Sequence, residues 1–155
     1  MKLSFFATIV VTVVLHYFEK SSYHQALESV VDSREFKENK WRRKNCFVSS
    51  EVVSFSSFSP FFKEELGNNF EYKIDTVEIV KRQEELLELN KKSDRKLEVF
   101  FSGEKNNLFF CEIFESKNKE ASYSKKPVFG SGIVYLFSKS NEKVTLIAVK
   151  TLHYN

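Results

Sequence analysis

Glu112, Tyr135 and His153 are the residues whose types and surroundings could do chemistry in this sequence. Each falls in a run of β-forming residues: LFFCEIFE (108–115), VFGSGIVYLF (128–137) and KVTLIAVKTLHY (143–154). Together they are expected to mark one sheet face. Alternation along the first run puts Leu108, Phe110, Glu112 and Phe114 on the same side of their strand. A carboxylate on an otherwise apolar side is costly to bury unpaired, and His153 or Lys150 could supply the partner. A buried Glu–His pair inside a cavity could act as a general base. The plainer reading is a Glu near a strand end that reaches water.

A second cluster, KENKWRRKNCF, sets Trp41 among Lys40, Arg42, Arg43 and Lys44. An aromatic amid cations could hold phosphate or an anionic lipid head. Such a stretch could equally be a solvated connection whose Trp folds back onto the core, which is the blander reading. Cys46 and Cys111 could form one disulfide in an exported chain, or remain two buried thiols. The histidines, at 16, 24 and 153, are too scattered for a zinc site, so no metal or other cofactor is expected. There is no C-x-x-C, H-E-x-x-H or G-x-S-x-G, and the 4 glycines make no phosphate loop.

The elements that must carry these residues follow from pattern. Ser22-Tyr23-His24-Gln25 fits a capping box and opens a helix over about 23–37. Residues 47–55 read as a strand. Ser59-Pro60 starts a short helix that Gly67 ends. Residues 72–80 look extended and 82–90 look like a short helix, although one helix over 76–90 is an alternative. Four strands follow, at 97–102, 108–115, 128–137 and 143–154, joined by short polar loops, which favours an antiparallel meander. Gly130-Ser131-Gly132 suggests a bulge or a sharp bend. The fold class is α+β: an N-terminal helix and short helices packed on one side of a largely antiparallel sheet that ends in a four-stranded meander. Some strands are apolar on both faces, so the second face must also be covered or must line a cavity.

At 155 residues, with 42% hydrophobic and 29% charged residues, the chain has the composition of one folded domain. Its 17 Phe point to an aromatic core. A net charge of +3 from interleaved acids and bases argues against a nucleic-acid partner. The opening, MKLSFFATIVVTVVLHYFEK, has one Lys and then no charge from Leu3 to Phe18. That run is short for a membrane span and suits a signal peptide, although its cleavage site is poor. Residues 1–21 are therefore read as a signal peptide or a membrane anchor, and 22–155 as the domain. The expected function is a small exported, non-catalytic binding domain for a protein, glycan or small-molecule ligand. The alternatives are a cavity enzyme using Glu112 or His153, and a membrane-tethered accessory protein that contacts lipid through residues 3–18.

Overall fold

The computed structural model describes residues 21–39, 46–68, 70–72, 77–90, 97–115, 122–126 and 130–154. The N-terminal run and Trp41, Arg42 and Arg43 lie outside the described residues.

Helix α1 spans Ser22–Asp32. Its cap is Ser21, one residue earlier than the sequence pattern suggests, and the Ser21 hydroxyl accepts from the His24 amide. Gln25 is thereby released from the cap. Its side chain instead reaches the turn near the C-terminal end of the chain, donating to the Glu142 carbonyl and accepting from the Val144 amide. The helix expected over 23–37 breaks at Ser33, which ends α1 and caps α2 (Arg34–Glu38). The Ser33 hydroxyl donates to the Val30 carbonyl and accepts from the Phe36 amide. A short polar side chain that serves two backbone groups favours a break over helix continuation.

Six strands form one mixed sheet in the order β2-β1-β3-β4-β5-β6. They are β1 (Cys46–Val53), β2 (Ile79–Arg82), β3 (Leu97–Ser102), β4 (Leu108–Glu115), β5 (Gly130–Ser140) and β6 (Lys143–Tyr154). The meander β3-β4-β5-β6 is antiparallel throughout. Among the described residues the one parallel pair is β1 with β3. A parallel neighbour needs a long crossover, and residues 54–96 supply it. That crossover holds 3-10 helices at Phe55–Ser57, Ser59–Phe62 and Glu84–Leu89, the short helix α3 (Lys63–Leu66), and β2. Because Ile79–Arg82 is a strand, the single helix over 76–90 does not form.

Both sheet faces are covered. On the first, Ala26 and Val30 of α1, Phe36 of α2 and Leu86 pack on Val48, Val99, Phe101, Phe109, Ile113 and Tyr135. On the second, Phe55, Phe58 and Phe62 pack on Phe100, Phe110, Phe114, Val134 and Leu136. The expectation of helices on one side is thus corrected. The start of the crossover carries Phe at 55, 58 and 62, spaced by three and four residues, and those rings close the second face. Phe110 is the centre of that layer, with the rings of Phe55, Phe58 and Phe62 at 4.7, 5.6 and 5.0 Å.

Of the two readings of the cysteines, a disulfide or two separate thiols, the structure has the second. Cys46 and Cys111 are both free thiols. Cys46 pairs with Leu97 at the start of β3, and Cys111 pairs with Phe101 near its end, from the opposite side. With β3 between their strands, the two backbones lie about 10 Å apart at the least, beyond the reach of a disulfide.

Candidate functional site

Glu112 sits in the middle of β4, between Phe100 of β3 and Val134 of β5 in the same row. Its neighbours Cys111 and Ile113 point to the α1 face, so Glu112 points into the aromatic layer on the other face. It is fully buried, with a relative exposure of 0%. The reading of a strand-end Glu that reaches water is therefore corrected: the crossover rings and Tyr123 close over it.

Its partners come from two distant stretches. Lys126 forms an ion pair with Glu112 Oε1, and the Tyr154 hydroxyl donates to the same oxygen. The Lys126 side chain is only 10% exposed. Its Nζ stands 3.5 Å from the ring centre of Tyr154 and 5.1 Å from those of Tyr123 and Phe114. Rings at this range attract a desolvated ammonium. Glu112 Oε2 makes no hydrogen bond among the described residues.

Gly132 explains how a carboxyl fits there. A Cβ at that position would stand 2.8 Å from Glu112 Oε1 and 3.3 Å from the Ile113 carbonyl oxygen. Of the two glycines that suggested a bulge, Gly132 therefore serves a close approach, while a Cβ at Gly130 would meet nothing within 4 Å. The bulge in β5–β6 lies between Leu136 and Phe137, where β6 has Ile147 as its extra residue.

A second buried acid holds the cover in place. Glu51 of β1 accepts the Tyr123 backbone amide at 2.7 Å through Oε2, and Arg82 of β2 meets its Oε1 at 3.1 Å. Tyr123 in turn lays its ring edge-on to Phe100 and Phe58. One tight turn, Tyr123–Lys125, so ties Glu51 to the Glu112 cluster.

Burial shapes the electrostatics. It pushes the Glu112 carboxyl above the ordinary carboxylate range, against the opposing pull of Lys126, Tyr154 and Tyr123. It pushes the Lys126 ammonium below its ordinary value, against the pull of Glu112. Both groups are thus moved toward their neutral forms. The phenols of Tyr123 and Tyr154 are raised by burial and then by the neighbouring Glu112 charge.

The three candidates do not meet. Tyr135 lies on the α1 face, where its hydroxyl is 3.2 Å from that of Ser33. His153 is exposed at the far end of β6, with Nδ1 3.1 Å from the Ser131 hydroxyl. Its strand neighbours Leu152 and Tyr154 are the ones turned to the Glu112 side. The expectation that these residues share a face is corrected by strand parity: Tyr135 and His153 are one step out of phase with it. Lys150 is in phase, facing Val134 in the Glu112 row, but its Nζ is held by Glu65 of α3 and the Phe61 carbonyl.

Sequence reasoning missed Lys126, Tyr154, Tyr123 and Glu51. Tyr154 was legible from the β6 alternation once Leu152 is placed in the core. Lys126 was not, because nothing in its residue type separates it from Lys125 in the same polar loop. Among the described residues no group of three or more His, Cys, Asp or Glu could hold a metal ion, and no helix is long and apolar enough to cross a membrane. Comparison with protein-family models, curated proteins and solved structures finds no match to this chain.

Proposed function

We propose that this chain is a small exported, non-catalytic interaction domain whose β6 edge receives an extended, acidic segment of a partner protein. The observation that carries the reading is the position of β6. It is a 12-residue strand at the end of the sheet and pairs with no second strand among the described residues. Past Val144, whose amide Gln25 takes, such an edge offers a row of backbone donors and acceptors to an added strand.

The chemistry of the strand narrows the partner. KVTLIAVKTLHY has two Lys, one His and no acid. The bulge at Ile147 and the like-charged lysines disfavour a second copy of β6 against itself. An acidic partner suits both features. Its carboxylates complement Lys143 and compete with Glu65 for Lys150. Ile147 is 45% exposed and gives such a segment one apolar contact. On the catalytic alternative, Glu112 is sealed under the chain's own aromatic rings, and His153 stands on the other side of the sheet. Export rests on the uncharged run from Leu3 to Phe18.

Selection of short random peptides displayed on phage, against the folded domain, tests the reading. The expected winners alternate apolar residues with Asp or Glu and lose binding to the Ile147→Asp variant. Winners without acids, or winners that bind Ile147→Asp as well as the parent, would overturn it. Intact mass of the protein from native cells tests export separately: loss of the first twenty or so residues is expected, and a full-length soluble product would refute it.

A further inference from the structure

We propose that Glu112 and Lys126 are a site of self-modification, joined by an intramolecular amide between Lys126 Nζ and the Glu112 side-chain carbonyl carbon. The inference stands apart from the β6 reading and rests on how this pair is held.

As an ion pair the arrangement is incomplete. A buried salt bridge offsets its desolvation only when further hydrogen bonds satisfy the remaining lone pairs. Here Tyr154 and Lys126 both converge on Oε1, while Oε2 has no hydrogen-bond partner among the described residues. An amide suits the same surroundings better. It carries no charge, it has a single oxygen that the Tyr154 hydroxyl already serves, and the oxygen without a partner is the one that leaves.

The geometry also meets the demands of the reaction. Nζ is in contact with the carboxyl group, and both side chains are buried. Gly132 and the Ile113 carbonyl restrict where the carboxyl can go, and the rings of Phe114, Tyr123 and Tyr154 surround the nitrogen. Two groups fixed in this way react with a very high effective concentration, and an amine in an apolar setting is the more nucleophilic neutral form. The displacement of both groups toward neutrality by burial agrees with this.

The step balances without an oxidant or a co-reactant. A proton passes from the ammonium to Oε2 of the carboxylate, giving amine and acid. The nitrogen lone pair attacks the carbonyl carbon and the N–C bond forms. Charge collects on Oε1, where the Tyr154 hydroxyl donates to it. The C–Oε2 bond then breaks, Oε2 takes a proton from the nitrogen, and one water departs. The product ties the turn at Tyr123–Lys125 covalently to β4 and closes a ring over residues 112–126.

Mass spectrometry of the denatured, reduced full-length chain decides the matter. The expected intact mass is one water below that of the sequence. A protease digest should yield a branched peptide in which Glu112 and Lys126 are joined. Lys126→Arg and Glu112→Ala should each return the unshifted mass, and this readout does not require either variant to fold. A parent mass that still equals the sequence after days of incubation in the folded state would overturn the proposal. So would a water loss that persists in Lys126→Arg.

Discussion

At the scale of single residues, the Glu112 cluster shows how a carboxylate, a lysine and a glycine depend on one another. In freshly folded chain whose mass is still that of the sequence, where Glu112 and Lys126 are an ion pair, removing the acid alone, as in Glu112→Ala, strands an ammonium among three rings. The expected loss is about 3–5 kcal/mol in urea unfolding, the usual consequence of leaving a buried charge without its partner. Replacing both groups, as in Glu112→Leu with Lys126→Met, removes the charge problem, and the double variant is expected to be more stable than Glu112→Ala. A double variant no better than the single one would show that charge is not the issue. Gly132→Ala probes the same place from the backbone side. The new methyl group would stand 2.8 Å from Glu112 Oε1, so the carboxyl must move within a filled layer. A cost of about 1–3 kcal/mol is expected from such overpacking, and an unchanged unfolding midpoint would argue against the close approach. That Glu112 would be the notable residue was readable from one carboxylate in LFFCEIFE. Its partners were not, because they depend on which strands become neighbours and on the parity of β6.

At the scale of elements, the strands were far more legible than the turns and helices. LEVFFS, LFFCEIFE and KVTLIAVKTLHY correspond to β3, β4 and β6 with the expected bounds, since a dense β-branched and aromatic run has few alternatives. The crossover was harder. PFFKEEL reads as one helix, yet Ser59–Phe62 winds as 3-10 before Lys63–Leu66 becomes α. The break between α1 and α2 was missed as well. The apolar face of Tyr23, Ala26, Leu27, Val30 and Val31 carries no stop signal of its own, and only the hydroxyl at position 33 marks the break. Ser33→Ala tests that account. It removes the α2 cap, the bond to the Val30 carbonyl and the contact with the Tyr135 hydroxyl. A loss of about 1 kcal/mol or somewhat more is expected from thermal unfolding, the usual worth of an N-cap. No loss at all would mean that the packing of Phe36, and not the cap, sets the helix break.

At the scale of the whole molecule, the aromatic core makes stability sensitive to alkali. Tyr23 packs against Phe101 and Phe109 on the α1 face, and burial there raises its phenol from 10.0 to about 12. Burial likewise raises the phenols of Tyr123, Tyr135 and Tyr154, and it raises the Cys46 thiol from 9.0 to about 11. For every one of these groups the native state holds its proton at a pH where the unfolded chain has lost it. Stability therefore falls as pH rises wherever the native state binds more protons. The contribution is fully present below about pH 9, begins to erode as the unfolded thiols ionise, and is lost more steeply from pH 10, where unfolded phenols join them. The urea midpoint, followed from pH 8 to 12, is expected to hold and then decline. Tyr23→Phe should be less steep than the parent between pH 10 and 12, because one of the linked protons is gone, and equal slopes there would remove Tyr23 from the account. The same burial that makes Tyr23 a linked group places its hydroxyl on the Ser102 carbonyl at the end of β3, so the alkaline transition should first loosen α1 from the sheet. Amide hydrogen exchange at pH 10 would then rise along Ser22–Asp32 before it rises along β4 and β5.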